Sequence, residues 1–116
     1  MLRQLAAIPL TDKDRQTVVT AAGILKERFP VDEVILYGSK ARGDDHADSD
    51  IDLLIITSRP ILWRERKSIV AALFDLGLAN DTIISILTVP LADWTAGAFR
   101  QTAIYREIRR DGVPAT

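Results

Sequence analysis

Val18, Ala22, Leu25 and Phe29 recur at three- and four-residue spacing, the pattern of one helical face. Thr11 and Asp12 stand where an N-cap belongs, and Pro30 ends the run. The pattern then changes period. Val34 to Tyr37 is a short β-branched and aromatic run stopped by Gly38, which reads as a buried strand. Residues 43 to 49 are polar and read as a loop. Ile51 to Thr57, IDLLIIT, is apolar at successive positions after Asp52 and so predicts a central strand covered on both faces. Arg59-Pro60 turns the chain into a helix on which Leu62, Ile69, Leu73 and Leu76 share a face and Gly77 supplies the stop. Thr82 to Val89 predicts a third strand closed by Pro90. Asp93 is placed to cap a last helix lined by Ile104 and Ile108, with Gly112 and Pro114 just beyond it. The order of elements predicts an α/β (α+β) domain, a small mixed sheet flanked by helices.

Composition narrows the class. The 116 residues are expected to form one domain, 1–116, with 47% apolar and 27% charged positions, an ordinary globular mixture. A net charge of -1 carries no strong nucleic-acid signal. The absence of cysteine removes disulfide, thiolate and zinc-thiolate chemistry. No apolar stretch nears the roughly 20 residues that span a bilayer, and MLRQLAAIPL is cut by Pro9 before it makes a signal-peptide core. A cytoplasmic protein without a membrane partner is the expectation.

The candidate chemistry lies in YGSKARGDDHADSDIDLLII, residues 37 to 56. Gly38 follows a strand directly, where a missing side chain lets backbone N–H groups approach an anion. Ser39 is placed to cap the next turn, with its hydroxyl where a phosphate would sit. The glycine spacing fits neither a Walker loop nor a dinucleotide fingerprint. Asp50 and Asp52 share a face of the strand, ~6.5 Å apart along it. Burying such a pair without compensation costs on the order of several kcal/mol. The simplest compensation is a hard divalent cation with oxygen ligands, Mg²⁺ beside phosphates. Two such ions sharing carboxylates suit in-line phosphoryl chemistry. A solvated, inert Asp-x-Asp is the other reading of the pair taken alone. Joined to the upstream glycine-serine turn, it brings triphosphate and metal to one sheet edge.

Gly38-Ser39, Ala41-Arg42-Gly43 and Ser49-Asp50-Ile51-Asp52-Leu53 resemble the signature of the polymerase-β-like nucleotidyltransferases, and within them the minimal nucleotidyltransferases (MNT). The resemblance implies the polymerase-β-like nucleotidyltransferase fold. It implies that Gly38 and Ser39 hold a triphosphate and that Asp50 and Asp52 bind Mg²⁺, two ions being expected. The reaction implied is transfer of a nucleoside monophosphate, AMP from ATP, to an acceptor hydroxyl with release of pyrophosphate. Many such proteins are antitoxins of HEPN-family ribonuclease toxins, and some add AMP to a toxin side chain. A HEPN toxin is therefore the expected partner.

The superfamily usually adds a third carboxylate on the next strand as metal ligand and base. In NDTIISIL that position aligns with Ile83. Asp81, of the same parity and one repeat earlier, either reaches the carboxylate pair as a third catalytic acid or caps the turn from Leu78. If it does not serve, a nucleotide-binding antitoxin that neutralises its partner by contact is the alternative function. Transfer to a small molecule such as an aminoglycoside is a third option, and it usually needs an acceptor domain. Arg42 either neutralises triphosphate charge or pairs with Asp44 or Asp45. Lys40 is expected to be a solvated surface residue, Asp48 a loop acid and His46 exposed. Trp63 and Trp94 are expected in the core. Arg106, Arg109 and Arg110 complement the C-terminal end of the last helix.

Overall fold

A computed structural model describes residues 3–46 and 48–115. Helix α1 (Asp12–Arg28) begins where the capping residues predict, with Thr11 Oγ1 accepting the Asp14 N–H at 3.1 Å. Ahead of it, Arg15 holds a 3₁₀ turn (Leu5–Ala7) and the segment after it by donating to the carbonyls of Leu5, Ile8 and Leu10.

Strand β1 (Val31–Tyr37) starts three residues earlier than its apolar run, across a register irregularity between Val31 and Glu33. It ends at Gly38, and a single-turn helix α2 (Ser39–Arg42) follows. Strand β2 (Ile51–Thr57) has the predicted bounds and sits between β1, antiparallel, and β3 (Ile84–Pro90), parallel. Helix α3 (Trp63–Ala79) makes the crossover that a parallel pair requires. A short strand β4 (Val113–Pro114), not foreseen from the pattern, pairs antiparallel with Ile35 and Leu36. The sheet order is β3-β2-β1-β4, a mixed sheet flanked by helices.

Alternation along β2 divides the core. Ile51, Leu53 and Ile55 pack with Val18, Ala22 and Leu25 of α1 and Ile69 and Leu73 of α3. Leu54 and Ile56 face the other way, against Ile35, Val89 and Ile108. Both faces are therefore covered, which explains the unbroken apolar run. Among the described residues no helix is long and apolar enough to cross a membrane.

Several expectations are corrected. The single last helix is three pieces: α4 (Leu91–Ala96), a 3₁₀ turn (Ala98–Gln101) and α5 (Ala103–Asp111). Asp93 lies inside α4, and Thr102 caps α5 by accepting the Tyr105 N–H at 3.2 Å. Gly77 does not stop α3, which runs on to Ala79. It is a packing glycine, since a Cβ there would lie 2.6 Å from the Thr82 carbonyl oxygen. Strand β3 begins at Ile84 rather than Thr82, because the Thr82 N–H is taken by Gly77 O at 2.9 Å. Trp94 does pack, edge-on to Tyr105 at 4.8 Å between centroids. Trp63 does not: it is 77% exposed.

Candidate active site

Strand pairing assembles the site. In the β1–β2 ladder Asp52 lies opposite Tyr37, and in the β2–β3 ladder it lies opposite Ser85. Asp50 precedes β2 on the same face, and its Oδ2 accepts a hydrogen bond from Ser85 Oγ at 3.0 Å. This is the sheet face covered by α5, opposite the one packed on α1 and α3.

Gly38 is required here twice over. Its φ of 78° and ψ of -158° lie in a region essentially open to glycine alone. A Cβ at this position would also collide with Asp52 Oδ2, with Asp52 Cγ at 3.2 Å. The missing side chain is thus the space that Asp52 occupies. Gly38→Ala is expected to cost roughly 1–3 kcal/mol in urea denaturation from the backbone alone and to displace the Asp52 carboxylate. A variant as stable as the parent would contradict this account.

The electrostatics are those of crowded negative charge. The Asp52 carboxyl is held above the ordinary aspartate range by burial first, then by the charges of Asp50 and Glu107, with Arg42 opposing. The Tyr37 phenol is raised by burial, Asp52 and Glu107. Neither Asp50 nor Asp52 has a salt-bridge partner among the described residues. Two half-buried carboxylates left unneutralised on one face suit a hard divalent cation. Mg²⁺ needs only one or two protein carboxylates when phosphate oxygens and water complete its shell. Among the described residues, no group of three acids or histidines is gathered closely enough to hold a metal by itself.

The structure brings Gly38, Asp50 and Asp52 together. Ser39 is the first residue of α2, and the cap position expected for it is taken by Gly38. Arg42 pairs with Asp44, its Nε donating at 3.2 Å, and its Nη1 donates to Glu107 at 2.8 Å. Asp81 is not gathered with the carboxylate pair. It lies in the turn after α3 with a φ of 54°, on a cavity of about 450 Å³ that Asp48 and Lys13 also line. The position facing Asp52 on the next strand is Ser85, and Ile83 is 66% exposed before the strand begins. His46 is exposed, as expected.

Lys40 is a correction. It is not solvated but 4% exposed, with Nζ 2.7 Å from Asp14 Oδ2 and 3.2 Å from Asp45 Oδ2. The single turn of α2 points Lys40 inward, against the first turn of α1. Burial works against its charge, yet the hydrogen bonds to Asp14 and Asp45 prevail and the ammonium sits above its ordinary range. Sequence reasoning also passed over Glu107, Tyr37 and Ser85. Glu107 falls three residues after Ile104, on the side of α5 that turns to the sheet, which was a readable signal. Ser85 carried none, because strand register alone places it.

The sequence pattern of the nucleotidyltransferase domain matches residues 18–112. A Methanocaldococcus jannaschii protein described as a "putative protein adenylyltransferase" is 39% identical over 62 residues, which are 53% of this chain and 61% of that one. The match thus spans less than two thirds of that relative. Among solved structures, one of a toxin-antitoxin with AMP-PNP superposes with a TM-score of 0.60 at 15% identity, covering 88% of this chain and 72% of the other. A second, of a tri-AMPylated Shewanella oneidensis HEPN toxin in complex with an MNT antitoxin, gives 0.57 at 13% identity, covering 89% and 71%. At such identities the likeness is one of fold, and it is the fold the sequence signature implies. The strand–glycine–serine turn, the paired aspartates and the domain match agree: the chain belongs to the nucleotidyltransferase domain family.

Proposed function

We propose that this nucleotidyltransferase moves AMP from ATP to a hydroxyl of a partner protein, a HEPN-family toxin, and so acts as an antitoxin. The observation that carries the reading is the Asp50–Asp52 pair without a salt-bridge partner among the described residues, Asp52 being seated over Gly38 beside the turn that opens with Ser39. In this reading Asp50 and Asp52 hold Mg²⁺, while Gly38, Ser39 and Arg42 meet the triphosphate. The cation, when bound, draws charge from the phosphates and lowers the barrier to displacement. The acceptor oxygen bonds to the α-phosphorus as the bridge to the β-phosphate breaks, pyrophosphate leaves with the electron pair, and the hydroxyl proton passes to a carboxylate oxygen of the pair. Ser85, by donating to Asp50, fixes that carboxylate's orientation. The neighbouring toxin-antitoxin structures and the adenylyltransferase relative support the choice of nucleotide and partner by likeness.

The test is to incubate the protein with α-labelled ATP, Mg²⁺ and the product of the adjacent gene. Label on the partner is expected, and no label with any nucleoside triphosphate would overturn the reading.

A second reading rests on Ser85 standing across from Asp52 where a third carboxylate would serve. It makes the protein a nucleotide-binding antitoxin that works by contact, with Asp81 outside the chemistry. An Asp50→Ala, Asp52→Ala double variant that still neutralises the partner would favour it. Under the first reading, Ser85→Asp trades the hydrogen bond to Asp50 for a third carboxylate that can serve as base, and is expected to raise the transfer rate about tenfold in single-turnover labelling.

A further inference from the structure

Apart from Val19, every large apolar side chain left exposed among the described residues lies on α3 or beside it: Leu62, Trp63, Val70, Phe74, Leu78 and Ile83. Trp63, Val70, Phe74 and Leu78 recur at helical spacing on an exposed face that flanks the one burying Ile69 and Leu73. They form one stripe about 22 Å long. A helix with two apolar faces has one face too many for its own core, and a contiguous exposed patch of this kind marks a contact surface.

The stripe is self-complementary when reversed. Rotation by a half turn about an axis at Val70 sets Val70 against Val70 of the second copy, Trp63 against Leu78 and Lys67 against Phe74. The flanks agree. In an antiparallel helix pair each flank meets the same flank of the other copy. Arg64 and Asp75 share one flank of α3, so each Arg64 falls opposite an Asp75, while the small Ser68 and Ala71 lie between them. Both charged residues are exposed, and neither makes a salt bridge within the chain among the described residues. Beside Leu78, Phe74 and Ile84 line an apolar groove of about 280 Å³, open where the indole of the other copy arrives. Trp63 is 77% exposed, with the Lys67 ammonium over its ring at 5.1 Å.

We infer that α3 is a homodimer interface, in which two copies of this chain pack their α3 helices antiparallel about Val70, with Trp63 of each seated by Leu78 and Ile84 of the other and Arg64 paired to Asp75. Such an interface is isologous and closes after two subunits. Because α3 packs on the sheet face opposite Asp50 and Asp52, both nucleotide sites stay open.

Sedimentation equilibrium on the purified full chain, without partner or nucleotide, is expected to give a dimer at micromolar concentrations. Phe74→Glu, at an exposed position, is expected to keep the circular dichroism of the parent and to weaken dimerisation by at least about a hundredfold. Arg64→Asp and Asp75→Arg are each expected to weaken it by several-fold to about tenfold. The double exchange is expected to restore it, which only the antiparallel register allows. A chain that stays monomeric at all concentrations overturns the inference and leaves the stripe to a different partner. A dimer indifferent to Phe74→Glu, or single charge variants that the double exchange does not rescue, overturns it as well.

Discussion

Asp52→Asn is expected to lower nucleotide transfer by on the order of 10³-fold while leaving the fold intact and, at neutral pH without metal, somewhat more stable. Both effects have one cause. Asp52 is the carboxylate at which everything in the site meets: Tyr37 and Ser85 flank it in the sheet, Gly38 makes room for it, and Asp50 and Glu107 repel it. Asparagine keeps the shape and removes the charge that a cation needs. In the proposed reading Asp50, which accepts from Ser85, is then the one carboxylate left for the cation.

The stability change follows from linkage. The folded state holds the Asp52 proton more tightly than the ordinary value of 3.8. The stabilisation from that proton is present below the unfolded value and disappears as pH rises through the folded one. Above both, the ionised group weakens the fold, and asparagine removes the weakness. Thermal melts from acid to neutral pH should show the variant's advantage growing with pH. Mg²⁺ with ATP should raise the melting temperature of the parent by mass action and leave the variant unmoved. A variant that melts below the parent in metal-free neutral buffer would show that Asp52 carries a structural contact instead.

Lys40→Ala should produce the largest loss of stability of any single change considered, about 3–5 kcal/mol. Lys40 and Asp14 are both nearly removed from solvent, with side chains 4% and 8% exposed. Truncating the lysine strands the Asp14 carboxylate at the junction of α1 and α2, with Asp45 nearby losing its partner too. The loss is a large share of the roughly 5–15 kcal/mol typical of a domain. Chemical denaturation of Lys40→Ala measures it directly. Replacing both partners with apolar residues, Lys40→Met with Asp14→Leu, should recover much of the loss, because a pair swapped for packed hydrocarbon strands no charge. The ammonium sits above its ordinary range, so its contribution is complete below the unfolded value and is lost only in strongly alkaline solution. A Lys40→Ala protein within about 1 kcal/mol of the parent would mean that water reaches the pair.

The two residues differ in how far sequence reveals them. The place of Asp52 was legible, because it depends on neighbours in the chain: the alternation that pairs it with Asp50 and the apolar run that buries the strand behind it. The same holds for β2, whose bounds were read to the residue, and for Gly38 at a strand end. Lys40 was misread, since nothing local to SKAR says that a one-turn helix will press its lysine against Asp14, 26 residues earlier. Trp63 was misread for the opposite reason: helical spacing shows that a face is apolar without saying whether the chain itself covers it.

Sequence by itself determined the order of the long elements from α1 to β3, the family signature and the placing of Asp50 and Asp52 on one face, because period and turn chemistry are set within a few residues by backbone sterics. Only the tertiary structure decided that Ser85 stands across from Asp52, that Glu107 adds its charge to the site, and that Lys40 is enclosed by Asp14 and Asp45. These contacts join residues far apart in the chain, and strand register and helix docking, which no local pattern encodes, fix which side chains meet.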